Sequence, residues 1–421
     1  MKKIIYLLII SVFAVKAVDV TAQNRNVAWV HGLGEGSLAW YHYESIFNNE
    51  RNINSRNGSF NTGYSINSAA SELYNYLPNS WKGNSRNIGI GHSMGGLMIR
   101  ATDRNHTNFA EKKFGGYITV ATPNYGAPIA NSLQDGSVQQ AKDHGLEMLT
   151  AGPNTISPIL GITITEMVNA SVGNDLAPNP SANIINELEE GSAVIASINN
   201  YTNNVNPNIP RISVWANENS PVHWRLASSA RYGDDTTIPD QIRIAKTVYI
   251  AMDAINYLMG VSCTIGGFWN PWCWGVAASY FYTAAQWRKG FRWLNDSENI
   301  WNALIKTTRR EEQLFWEQVF VPDSDYDECM SYLDEYDWYA DCGTFEWQWV
   351  THMVSVNYPS DGLLPKYTQI MKNNPTPNNE YEVSGANHVQ VLDMSTDGNS
   401  TDETKDVFDL IFNRGDFFHT N

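Results

Sequence analysis

NIGIGHSMGGLMIRA, residues 87–101, runs from an apolar segment through His92-Ser93-Met94, held between glycines, into a second apolar segment. The first reads as a strand and the second as a helix. A serine on so sharp a strand-to-helix turn takes strained backbone angles. Small flanking residues, here Gly91, Gly95 and Gly96, let such a turn pack against the next helix and strand. The turn lifts the hydroxyl clear of the sheet and aims the N-terminus of the following helix at it. Ser93 is therefore expected to be a nucleophile, not merely a turn residue.

Working outward, NVAWVHGLG (26–34), FGGYITVATP (114–123), RISVWAN (211–217) and, more weakly, YEVSGANH (381–388) read as further strands. SINSAASELYNYL (65–77) has helical spacing, with Ser65 or Ser68 as its cap, and TKDVFDLIFNRG (404–415) is a last helix ending on Gly415. Strands alternating with helices predict an α/β architecture, a mostly parallel sheet covered on both faces. Two stretches break that rhythm and read as large, mainly helical cap or lid insertions above the sheet. Residues 129–205 are rich in Asn, Ser and Pro, and residues 219–347 hold ten of the fifteen tryptophans and all four cysteines. The nearly uncharged run at 247–287 is broken by Asp253, Gly260, Gly266-Gly267 and Pro271, which predicts a packed helical hairpin with an aromatic surface.

The chain of 421 residues carries a net charge of −16 and 43% apolar residues, a globular composition without the basic face of a nucleic-acid binder. Lys2 and Lys3, an apolar run over residues 4–15 and the small residues at Val20-Thr21-Ala22 read as a secretory signal peptide spanning 1–22. The product is expected to be secreted or periplasmic, with residues 23–421 as the mature domain. Export makes disulfides plausible. Short loops favour 263–273 and 329–342 among the three pairings without deciding between them. The cysteine spacing fits no common zinc pattern. DSDYDECMSYLD (323–334) imitates the start of a calcium loop but has Glu328 at its sixth position, so no metal is expected.

A hydroxyl needs a base to take its proton and an acid to orient that base. In this architecture the order is serine, acid, histidine. His388, in the loop after the last strand, is the expected base. His352 has apolar neighbours and reads as core, and His419 lies at the chain end. Asp361, in YPSDGLLP (358–365), is the expected acid, whereas Asp393 follows the histidine and breaks the order. The amide of Met94, after the nucleophile, and that of Leu33, in HGLGEGS (31–37), are the expected oxyanion donors. His31 and Gly32 shape that loop and bring its backbone to substrate.

At these residues the chain resembles the α/β-hydrolase superfamily, and within it the secreted bacterial lipases and lipase-like esterases. VHGLG (30–34), IGHSMGG (90–96), VATPNYGAP (120–128), SDGLLP (360–365) and GANH (385–388) occur in that family's order. The resemblance covers roughly residues 23–130, the strand at 211–217 and 358–415, and neither insertion. It implies Ser93, Asp361 and His388 as catalytic residues, Leu33 and Met94 as oxyanion donors, ester hydrolysis and no cofactor. A small-molecule or lipid ester is the expected substrate, with Trp269 and Trp272 among the residues that meet it. Transient contact with a lipid surface through the aromatic cap is expected, and no nucleic acid or stable protein partner. The rival readings are an acyltransferase on the same residues and a non-catalytic lipid- or ligand-binding protein on a hydrolase scaffold.

Overall fold

A computed structural model describes residues 25–150, 181–220, 222–266, 272–322, 343–374, 378–394 and 402–414. The segment expected as a signal peptide lies outside them, as do the acidic run from Asp323 and Cys329 and Cys342.

Strand alternation builds two apolar faces on one sheet. In β1 (Arg25–Val30), Val27 and Trp29 enter one core while Ala28 and Val30 enter the other. β2 (Ile53–Asn57), β3 (Ile88–His92), β4 (Gly116–Val120) and β5 (Arg211–Asn217) follow. β6 (Thr308–Pro322) and β7 (Gly343–Asn357) form a separate antiparallel pair, and β8 (Glu380–Ser384) returns to the main sheet. The main sheet has the order β2-β1-β3-β4-β5-β8, and every pair is parallel. Its carboxyl ends therefore share one edge, where the connecting loops converge.

Helices α1 (Tyr41–Arg51), α2 (Ile66–Tyr76) and α3 (Met94–Asn105) follow β1, β2 and β3. Between β4 and β5 lie α4 (Pro128–Gln134), α5 (Ser137–Thr150), α6 (Ala182–Leu188) and α7 (Ala193–Asn200). After β5 come α8 (Val222–Tyr232), α9 (Thr237–Gly266) and α10 (Trp272–Leu304). Short α11 (Lys366–Gln369) precedes β8, and α12 (Glu403–Phe412) is last. Tyr43 and Phe47 of α1 and Phe408 and Phe412 of α12 cover the Trp29 face. Side chains of α2, α3, α6 and α7 cover the opposite face. Ser65, not Ser68, caps α2, its hydroxyl accepting from the Ser68 amide at 3.0 Å. The last helix starts on a cap at Asp402 and ends at Asn413, before the expected Gly415. Its closing bonds run to the carbonyls of Asp409 and Ile411, and Gly415 lies outside the described residues.

α9, about 45 Å long at 1.5 Å per residue, packs against α10. Near the sheet, Ile238, Ile242, Tyr249, Trp287, Trp293 and Leu294 form a core of their own. Farther along, Ile255, Tyr257, Leu258, Met259 and Tyr282 are exposed. Among the described residues, no helix is long and apolar enough to cross a membrane. Cys263 is half-buried and unbridged, so the 263–273 pairing favoured by spacing is not made.

The 219–347 stretch is helical as far as Leu304 and then becomes a ribbon. β6 and β7 pair over fifteen residues each, Thr308 against Asn357 and Pro322 against Gly343. The Tyr358 amide donates to the Thr307 carbonyl at 2.8 Å, closing the ribbon at its base. Residues two apart share a face. One face therefore carries Leu314, Trp316, Phe345, Trp347, Trp349 and Met353, all exposed. His352 is on the other face, exposed and bonded to Glu317 at 2.8 Å, and is not core. Its apolar sequence neighbours belong to a two-sided ribbon, where alternation does not imply burial.

Candidate active site

The turn after β3 holds Ser93 at φ 51° and ψ −127°, a conformation costly for any residue with a Cβ. It survives because its surroundings fix it. The Ser93 amide donates to Val120 at 2.9 Å. A Cβ on Gly91 would sit 2.5 Å from the Gly95 carbonyl carbon, and one on Gly95 would strike the carbonyls of Val30 and His31. Without those methyls, α3 closes onto β1 and β3, with the serine at its N-terminus.

His388 follows β8, and its Nε2 lies 3.0 Å from Ser93 Oγ. Its Nδ1 lies 2.7 Å from Asp361 Oδ2. Because Asp361 can only accept when ionised, Nδ1 carries the hydrogen and Nε2 is left to accept from the serine. Asp361 is fully buried. Its Oδ1 accepts from the amides of Leu363 and Leu364 at 2.9 and 2.6 Å, which fixes the carboxylate plane. The cap reaches this loop directly, since Trp301 of α10 donates from Nε1 to the Gly362 carbonyl at 2.5 Å.

Asn387, beside the histidine, has no counterpart among the residues expected from sequence. Its Oδ1 accepts from the amides of Val389 and Gln390 at 3.1 and 3.0 Å. Its Nδ2 donates to Glu218 at 3.0 Å and to Ser229 of α8 at 2.8 Å. Glu218 is buried, which pushes its carboxyl pKa up even though Arg225 opposes the shift at 2.9 Å. The loop bearing His388 is thus tied to both the end of β5 and the cap.

The loop after β1 is fixed peptide by peptide. His31 is buried, its Nε2 accepting from the Phe60 amide at 2.9 Å and its Nδ1 lying 2.9 Å from the Gly32 carbonyl. Burial, ahead of any other influence, holds its pKa below the usual imidazole value, consistent with a neutral ring protonated on Nδ1. In a planar trans peptide, fixing the Gly32 carbonyl also fixes the Leu33 N–H, which points the opposite way. The Gly32 amide donates to Glu35 Oε2 at 2.6 Å. Met94 opens α3, where the first amides have no partner within the helix.

Glu35 is a second residue that sequence reading passes over, although it is the only acid in the glycine-rich loop. Its Oε1 lies 2.9 Å from His92 Nδ1, and His92 Nε2 lies 2.9 Å from the carbonyl of His388. Burial opposes a charge on His92, but the Glu35 carboxylate, the His388 carbonyl and Asp361 together outweigh it and the pKa rises. Burial likewise works against Glu35, and His92 lowers its pKa all the same.

The structure therefore brings Ser93, His388, Asp361, Met94, Gly32 and Leu33 to one edge of the sheet, with His31 beneath them. Trp269 lies outside the described residues, and Trp272 begins α10 with its side chain outside them. Among the described residues, no group of three His, Cys, Asp or Glu side chains could hold a metal ion.

The parallel strand order, helices on both faces and a strained serine between β3 and α3 make this an α/β-hydrolase fold. No family model matches the sequence, and no curated protein matches it. Among solved structures, a Bacillus licheniformis lipase in its mature form is 16% identical, covering 47% of this chain and 67% of its own at a TM-score of 0.31. A Legionella pneumophila phospholipase is 15% identical over 49% of this chain and 43% of its own, with a TM-score of 0.31. An extracellular α/β-hydrolase from a Paenibacillus species is 14% identical over 45% of this chain and 76% of its own, with a TM-score of 0.28. Overlap of this extent adds nothing to what the strand order and the serine turn establish.

Proposed function

We propose that the chain is a serine hydrolase of carboxylic esters, a lipase or esterase working through an acyl-enzyme. The observation that carries this reading is the continuous hydrogen-bonded series from Ser93 Oγ through His388 to Asp361. His388 Nε2 takes the serine proton as Oγ attacks the ester carbonyl carbon, giving a tetrahedral oxyanion held by the amides of Leu33 and Met94. Collapse breaks the bond to the alkoxy oxygen, which leaves as the alcohol with the proton from His388. Water then gives a proton to His388, attacks the acyl carbon and releases the acid, while the proton returns to Ser93. Asp361 keeps the imidazole in the productive tautomer throughout. The reaction needs no cofactor.

The exposed apolar end of the α9–α10 hairpin supports an apolar acyl chain or a lipid surface as the cap's partner. The exported form is the proposed site of action. Purified protein is expected to hydrolyse p-nitrophenyl esters across a chain-length panel and to be labelled on Ser93 by a phosphonate. Ser93→Ala should abolish both. Turnover retained above a few per cent in that variant, or label on another residue, overturns the reading.

A further inference from the structure

The serine hydrolase reading uses Ser93, His388, Asp361 and two amides, and leaves the Glu35–His92 pair without a role. His92 is fully buried immediately before the nucleophile. One ring nitrogen faces a carboxylate and the other a backbone carbonyl, at 2.9 Å each. An ionised carboxylate and a carbonyl are both acceptors only. The ring satisfies both by carrying two hydrogens, as an imidazolium. A neutral ring would leave one of these contacts without a hydrogen, in a setting where unmade hydrogen bonds are costly.

The connections of this cation are specific. Through Glu35 it reaches the Gly32 amide, one peptide before the Leu33 N–H. Through Nε2 it reaches the backbone of His388. One side chain thus joins the loop expected to hold the oxyanion to the residue expected to move the proton, from the position next to the nucleophile. Resting on the proposed function, we infer that the Glu35–His92 ion pair is the positioning device that sets the distance between the oxyanion loop and the catalytic base. Neither residue is a catalytic residue, since neither contacts the reacting atoms.

The titratable groups facing His92 are His31 and Glu35 in the loop after β1, Asp361 between β7 and α11, and His388 in the loop after β8. The Trp40 ring, 6.4 Å away between centroids and nearly perpendicular, is an uncharged neighbour. Of these, Glu35 and Asp361 favour the cation and His31 opposes it. The linkage is intact between the lowered pKa of Glu35 and the raised pKa of His92. It is lost by carboxylate protonation on the acid side and by imidazolium deprotonation on the alkaline side.

The test combines kinetics, labelling and ring titration on the full chain. Glu35→Gln offers a single acceptor oxygen, so the Gly32 amide and His92 compete for it. Its kcat for p-nitrophenyl butyrate should fall about 100-fold, the scale of a small misplacement of catalytic groups, with KM within about threefold of wild type. The alkaline limb of its kcat profile should move to lower pH, because His92 loses its counter-charge. In the wild type, nitrogen-15 NMR should show both His92 ring nitrogens protonated at pH 7, with deprotonation tracking the alkaline fall in kcat. This arm decides the matter if Glu35→Gln does not fold. A neutral His92 at pH 7, or Glu35→Gln with wild-type kcat and pH profile in a protein that takes the phosphonate on Ser93, overturns this inference alone. Wild-type protein that neither turns over esters nor takes the phosphonate overturns the hydrolase reading and this inference with it.

Discussion

Asp361 and His388 are joined twice, by the 2.7 Å contact between carboxylate and Nδ1 and by the 2.8 Å bond from the His388 amide to the Asp361 carbonyl. The backbone bond survives any change at the Asp361 side chain. The imidazole can therefore stay in place while its tautomer preference is altered, and the two contributions can be separated by substitution.

Asp361→Asn is expected to lower kcat by about 10³–10⁴-fold, the scale seen when such an acid loses its charge but keeps its shape. The thermal midpoint should move little, because an amide oxygen can still accept from Leu363 and Leu364. Ester kinetics with a parallel melting curve check this, and a loss under tenfold would point to a different acid.

Ser93→Gly and Ser93→Ala both remove the hydroxyl and should both be inactive, but they differ in backbone freedom. At φ 51° and ψ −127° the glycine variant escapes strain that alanine retains. It should be the more stable of the two by about 1 kcal/mol. Urea unfolding of the pair measures the difference, and an alanine variant at least as stable would show that the turn is unstrained.

Asn387→Ala removes two acceptor contacts to amides and leaves Glu218 short of a donor. Stability should drop by about 1–3 kcal/mol, with a fall in kcat exceeding any change in KM as the histidine loop loosens. Chemical denaturation and steady-state kinetics read the two effects, and a variant that matches wild type in both would remove Asn387 from its positioning role.

His223, buried at the start of α8 and 2.9 Å from Glu298, has its pKa lowered chiefly by burial. The folded state then binds fewer protons than the unfolded state below the unfolded value of about 6.5. Its stability contribution is present above that pH and lost as pH falls through and below it. Between pH 7 and pH 5 the wild type should lose stability, and His223→Gln should lose less over the same interval. Equal slopes in urea unfolding at the two pH values would assign the acid sensitivity elsewhere.

Replacing Ile255, Leu258, Met259 and Tyr282 at the exposed end of the hairpin by serine should lower turnover of long-chain or emulsified esters by tenfold or more. Soluble short-chain esters should be nearly unaffected, because the core around Tyr249 and Trp287 is untouched. Equal losses across the chain-length panel would make the hairpin end irrelevant to substrate.

The main sheet is legible in the sequence wherever buried strands are apolar, as in Ile88–His92 and Arg211–Asn217. β2 is not, because INSRN at the sheet edge buries only Ile53. The ribbon is missed for a related reason. Its alternation resembles that of a half-buried strand, yet both faces are open and nothing local says so. Ser93, Asp361 and His388 can be found because glycines punctuate their loops and their chain order is fixed by topology. Glu35, Glu218 and Asn387 act through partners far away in sequence. Glu35 reaches His92 across 57 residues and Asn387 reaches Glu218 across 169, and no local pattern encodes such meetings.

The closed base of the ribbon has a bearing on how this chain can change over generations. Thr307 and Tyr358 are hydrogen-bonded neighbours, so the path departs and comes back at a single point three residues ahead of Asp361. Insertions, deletions or wholesale exchange beyond that point need not shift Asp361. Selection is thereby free to remodel a large surface appendage while Ser93, His388 and Asp361 stay in register at the sheet edge.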